Sequence, residues 1–317
     1  MFIPGLSRRS STKTLERRKG GGGGGRGGGG RSGGSRGGGG GSSKSGGGGS
    51  SRSGGKAPKP RAIKSSSTFS SGGKTRAPSA YGRGGGTPTP IPSGLPFAGR
   101  LVGGGTRSQV FGTRAYGSGY GSGFTTRGVA GRPFPFFFWP VVWGGSALLL
   151  TDTYLDARRE YGDVNNSTRP GGPLSTAAFQ SSTENITFRL VADNDTATSL
   201  VSDLSTNCSM SFATNPSPSS SPLDPNASTP RPEQVVQYYR ASSIVLTLDG
   251  YNNTATYGPE GTPDSPLPSM NMTLLICLNE TIGLAAPLVD GGAVLSAPTY
   301  LNIIGLVWAL WALMRIS

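Results

Sequence analysis

The chain changes its physical character near residue 133, and that break limits what it can fold into more than any single motif does. Of its 54 Gly, 42 lie before residue 133 and 12 after it. Residues 1–132 hold 23 Lys and Arg against one acid, Glu16, whereas residues 133–317 hold 7 against 15. Glycine loses the most chain entropy on folding and brings no side chain to bury, and like charges add repulsion. The expectation for residues 1–132 is therefore a largely disordered, basic Gly/Arg-rich arm. Its first 19 residues lack the apolar run of about 7–15 residues that a secretory signal needs.

Two apolar stretches flank the remainder. Phe134 to Leu150 is a run of 17 uncharged, mostly apolar residues. As a helix it would span about 25 Å, at the short end for a bilayer core of about 30 Å, and Pro135, Pro140 and Gly144–Gly145 interrupt it. Residues 133–151 are expected to act as an internal signal-anchor. Residues 293–314 form the stronger membrane-directed segment, 22 uncharged residues followed by Arg315, with Trp308 and Trp311 near one end as interfacial anchors. The small residues after Asp290 and Gly291 fit a second reading of this terminus, a glycolipid-anchor signal whose tail is removed.

Between these stretches, residues 152–292 carry the periodicities of a folded domain. AFQSS and NITFRLVAD read as strands, the second alternating through Ile186, Phe188, Leu190 and Ala192. Asn194 or Asp195 caps a helix running to about Cys208, with Leu200, Leu204 and Cys208 on one face. A Pro/Ser loop over 214–232 leads to PEQVVQYYR, a short helix opened by Pro232. SSIVLTLDGYNN is the clearest strand, and a last helix runs from about Met272 to Ala286. The fold class is a small α+β domain in the order β-α-α-β-α, flanked by membrane segments and preceded by the disordered arm.

The strongest chemical signal is a set of N-x-[ST] acceptors at Asn165, Asn166, Asn185, Asn194, Asn207, Asn226, Asn252, Asn271 and Asn279. Residues 156–290 contain 11 Asn and 33 Ser and Thr, from which chance gives roughly three such motifs. Asn215 precedes a proline and Asn253 lacks the hydroxyl partner, so both fall outside the pattern. Asn165 and Asn166 overlap, so at most one of the two is used. Cys208 and Cys277, the only cysteines, lie in the same segment, as a disulfide in an oxidising compartment would. Charge bias then orients the chain, with residues 1–132 and Arg315 cytosolic and residues 152–292 lumenal or extracellular.

Function classes narrow accordingly. The chain has no His, which removes imidazole acid–base catalysis and His-based triads. Two cysteines cannot build a Cys₄ zinc site. GGGGGGRGGGG is not a phosphate-binding loop, because no strand precedes it and no Lys-Ser or Lys-Thr follows. No catalytic residue, metal ligand, cofactor or small-molecule substrate is indicated, and no enzyme is expected. The reading is a membrane-anchored N-glycosylated protein with a structural or interaction role and the lipid bilayer as its partner. Within the arm, the Arg/Gly triplets at Arg26, at Arg31 and Arg36 in degenerate form, and at Arg83, with the aromatic residues Tyr81, Phe111, Tyr116, Tyr120 and Phe124, also fit contact with anionic lipid or RNA. An Arg/Gly-rich nucleic-acid-binding protein is thus the rival class. A secreted, glycolipid-anchored protein whose signal peptide lies upstream of this sequence is a third.

Overall fold

β-Branched and aromatic residues assemble most of the sheet in the computed structural model. The structure describes residues 78–121, 123, 127–143, 155, 158–213 and 215–289, with the backbone of 69–71 and 74–76. All of these belong to one unit, Lys56–Ser317. Phe69–Ser71 (β1) and Lys74–Arg76 (β2) form an antiparallel pair, as do Thr89–Pro90 (β3) and Leu101–Val102 (β4). A single helical turn, Arg158–Tyr161 (α1), follows. The α+β core then runs Leu174–Gln180 (β5), Thr187–Asp193 (β6), Asn194–Asn207 (α2), Ser221–Pro222 (β7), Val235–Tyr239 (β8), Ile244–Leu248 (β9) and Thr273–Ala285 (α3).

The main sheet has the order β7-β5-β6-β9-β8, with every neighbouring pair antiparallel. The α+β expectation holds at this level. PEQVVQYYR, expected as a helix, instead makes one 3₁₀ turn at Pro232–Gln234 and continues as β8. Val235, Val236, Tyr238 and Tyr239 lose side-chain freedom in a helix and pack well on a pleated surface. β9 supplies the partner, opposing Tyr239 with Ile244 and Tyr238 with Val245. The N-cap of α2 lies one residue before the first of the expected caps. It is Asp193, whose Oδ1 accepts from Thr196 N at 3.0 Å, satisfying one of the donors a helix start leaves open.

β9 is buried at all five residues, which requires cover on both sheet faces. Side chains alternate along β8. Tyr239 turns to α3 and donates to Asn279 Oδ1 at 2.7 Å. Tyr238 turns to the other face, where its ring lies 5.6 Å from that of Tyr116 and its hydroxyl accepts from Trp143 Nε1. That second cover comes from residues 78–143, a strap with little regular structure. Val102, Val110, Tyr116, Val129, Phe134, Phe136, Phe137, Phe138, Val141, Val142 and Trp143 are all buried in one core with the sheet and helices.

Two expectations are corrected here. The arm does not stay unfolded to residue 132, because from residue 78 onward its backbone is tied to the domain. Ser79 and Leu288 exchange N–H···O bonds of 2.7 Å in both directions, Gly112 N donates to Tyr238 O, and Arg240 N donates to Val110 O. Nor is the described part of the expected signal-anchor a helix. Residues 134–143 run irregularly, with Val141 N donating to Ser242 O at 2.8 Å. Pro135 and Pro140 remove donors that a helix would need, and the apolar side chains are buried by protein. Among the described residues no helix is long and apolar enough to cross a membrane. Residues from 78–143 and 158–289 contribute to one core. Residues 1–68, 144–151 of the expected anchor, Phe124, Asp290, Gly291 and the segment 293–317 lie outside the described residues.

One contact shows how closely the strap is fitted. The Phe111 ring lies against Gly283 of α3, where a Cβ would collide with it. In a free helix Gly→Ala stabilises by about 1 kcal/mol. Gly283→Ala is expected to reverse that sign and lower the denaturant midpoint. The double change Gly283→Ala with Phe111→Ala should recover part of the loss. A rise in midpoint for the single variant would mean that the strap does not press on α3.

Candidate functional site

Two arrangements stand out, an interior built around buried arginines and a surface studded with acceptor asparagines. The interior begins at the β8–β9 connection. Arg240, Ala241 and Ser242 take φ of +49°, +50° and +63°, a left-handed run that costs non-glycine residues roughly 1–2 kcal/mol each. The Arg240 guanidinium holds the turn in place. Its Nε donates to Ser243 Oγ at 2.7 Å, and Nη1 donates to Thr196 Oγ1 at 3.1 Å and Pro287 O at 2.9 Å. Its Nη2 donates to Asp193 Oδ2 at 2.7 Å, and the Phe138 ring lies 3.5 Å from Cζ. Burial pushes Arg240 down to about 10, opposed by the Asp193 carboxylate, so it stays charged at neutral pH. One side chain thus joins the hairpin turn, the α2 cap, the segment after α3 and the strap.

Arg169 lies nearby and donates from Nη2 to Trp139 O and Pro140 O. Burial lowers it to about 10 as well, against the pull of Asp193. Its Nε and Nη1 have no partner among the described residues. Neither buried arginine, nor the role of Asp193, follows from the sequence motifs. The available hint was a lone Arg between two apolar runs, YYRASSIVL.

Most of the arm's described cations and aromatic groups are engaged by the fold, whereas Arg83 is exposed. Arg107 donates to Gly82 O, Gly283 O and Ala286 O. Arg114 donates to Tyr251 Oη and Ser265 O, and Arg127 to Ala255 O and Gly258 O. Arg132 donates to Gly117 O and lies over the Tyr120 ring. Arg100 pairs with Glu160 and lies over the rings of Phe97, Phe134 and Tyr161. Tyr116 donates to Val141 O at 2.6 Å, and burial raises its pKa. Tyr81 packs on the core, and the Phe111 ring lies 5.9 Å from that of Tyr239. An arginine binds backbone carbonyls through a rigid fork of donors, which suits a layer poor in ladder hydrogen bonds.

The acceptor motifs lie on the outside. Asn165, Asn185, Asn194, Asn207, Asn226, Asn252 and Asn271 are exposed, and Asn166 and Asn279 are half-buried. Asn253, which lacks the motif, is 2% exposed. It holds a loop together, accepting from Ala255 N and Ser265 N and donating to Asp264 Oδ1 at 2.8 Å. Asn166 is also structural. Its Nδ2 donates to Tyr161 O at 3.1 Å, and its Oδ1 accepts from Thr168 N and Thr168 Oγ1. Next to it, Asn165 lines an open depression of about 370 Å³ with Arg158, Asp163, Val164, Leu223, Asp224 and Pro225. A second hollow of about 20 Å³, between Arg114, Arg127 and Asp264, has room for no more than a water.

Cys208 and Cys277 form a disulfide with a Cα–Cα distance of 5.8 Å, joining the C-cap of α2 to the middle of α3. Among the described residues no group of three or more Cys, Asp or Glu could hold a metal ion. No family model, no curated protein and no solved structure matches this chain.

Proposed function

We propose that the chain is an N-glycosylated protein of the secretory pathway with a structural or interaction role, held at a membrane by residues 293–314. The folded unit 78–289 lies wholly on the lumenal or extracellular side. That replaces a topology in which the chain crosses the bilayer near residue 140. The observation that carries the proposal is the acceptor pattern: nine motifs where about three are expected by chance, with seven of their asparagines exposed. The Cys208–Cys277 bridge supports the same compartment, since disulfides persist where the surroundings are oxidising. No enzymatic role is proposed, because the chain brings no His and the Arg240–Asp193 ion pair is sealed in the core.

The test is the mobility of the full-length chain from its own cells, with and without an N-glycosidase. A large shift to lower mass is the expected result, with glycopeptides mapping to several of the nine asparagines. No shift, together with unmodified peptides covering all nine, overturns the proposal. The Arg/Gly-rich nucleic-acid reading would then take its place, resting on residues 1–77.

A further inference from the structure

We infer that the depression beside α1 is the seat for the innermost sugars of a glycan carried on Asn165. This inference rests on the glycosylated reading above and names one site within it. Asn165 and Asn166 belong to overlapping motifs, Asn-Asn-Ser and Asn-Ser-Thr, and the fold separates them. A sugar on Asn166 would replace one of the two hydrogens on the nitrogen that donates to Tyr161 O. That side chain also lies so close to Gly162 that a Cβ there would collide with it. Asn166 is thus half-buried and engaged by the fold. Asn165 is exposed and forms part of the wall of the depression.

The lining matches the chemistry of an N-acetylglucosamine core. Such a sugar presents an apolar C–H face and an acetamide methyl, ringed by hydroxyl donors. Val164, Leu223 and Pro225 offer the apolar surface, and the carboxylates of Asp163 and Asp224 accept from hydroxyls. Asp224 already accepts from Asn226 N through Oδ1 at 2.8 Å, which fixes its carboxylate at the rim. The volume, about 370 Å³, falls at the lower end of the range of about 300–1,000 Å³ typical of small-ligand sites. The ligand is tethered to the wall, so it has a high effective concentration and needs little intrinsic affinity to occupy the site.

The experiment uses glycoprotein purified from native cells and an endoglycosidase that cuts between the two innermost N-acetylglucosamines. Release is followed site by site by glycopeptide mass spectrometry. In the folded protein the Asn165 glycan is expected to be cut about tenfold more slowly than that on Asn185, which sits exposed in the β5–β6 turn, the retardation that ~1.4 kcal/mol of seating produces. After denaturation the two rates should be equal. Asp163→Ala, an exposed change, should bring the native ratio close to one. Equal native rates in the wild-type protein overturn the inference, as does an unmodified Asn165 in a protein glycosylated elsewhere, and both leave the proposed function standing. Nine bare asparagines would remove the proposed function and this inference together.

Discussion

Arg240→Met is expected to lower the unfolding free energy by about 3–5 kcal/mol, the cost of leaving a buried carboxylate without its partner. Met conserves much of the volume and the contact with Phe138, so the loss reports on charge and hydrogen bonds rather than on a cavity. Asp193 would keep its bond from Thr196 N, but its Oδ2 would face a core with no cation at 2.7 Å. The three left-handed residues of the turn would lose the side chain that spans them. Arg240→Lys should recover little, because a single ammonium cannot reach Ser243, Thr196, Pro287 and Asp193 together. Asp193→Asn retains a good N-cap and so isolates the charge. Combined with Arg240→Met it should cost clearly less than the sum of the two single changes. Denaturant midpoints with unchanged m-values give these numbers. A loss below about 1 kcal/mol for Arg240→Met, the worth of an exposed ion pair, would show that this pair does not hold the turn.

Removal of the Cys208–Cys277 bridge is expected to cost up to about 4 kcal/mol, by the loop-entropy relation for a closed loop of this length, whose ends are 69 residues apart. The loop it closes contains β7, β8, β9 and the Pro/Ser connection, so the bridge shortens the longest excursion the unfolded chain makes between α2 and α3. Cys277→Ser should show the effect with less disturbance than Cys208→Ser, since Cys277 is half-buried and Cys208 is buried. The check is unfolding of the wild-type chain with and without a reductant, beside the Cys277→Ser variant. Reduced wild type and variant should coincide. Alkylation of the native chain under denaturing, non-reducing conditions should label no thiol, and two labelled thiols would rule the bridge out.

The parts of the domain that were legible in sequence are those whose side chains repeat with a local period. Phe188, Leu190 and Ala192 alternate in β6, Leu200 and Leu204 line one face of α2, and Leu274, Leu278 and Ile282 do the same in α3. The acceptor asparagines and the two cysteines were legible because each is a local pattern or a count. PEQVVQYYR was misread because Pro232 does open a turn, but only a 3₁₀ one, after which pairing with β9 decides the conformation. The Asp193–Arg240 pair was not legible, since its partners stand 47 positions apart and nothing in either neighbourhood names the other.

Composition marks this chain as two unlike polymers joined end to end, local periodicity marks residues 152–292 as an α+β fold, and short motifs mark its acceptors. Composition could not decide where the first polymer stops being coil. Glycine and arginine in residues 78–132 read as solvent-loving because their use is non-local. Glycines there permit close approach and positive φ, and arginines bind carbonyls on α3 and the loops around Tyr251. The same holds for Phe134–Trp143. An apolar run signals only that water is to be avoided. The tertiary structure decides that the exclusion is by the open face of a five-stranded sheet, because Tyr238, Val245 and their neighbours need cover on the side that α2 and α3 leave bare.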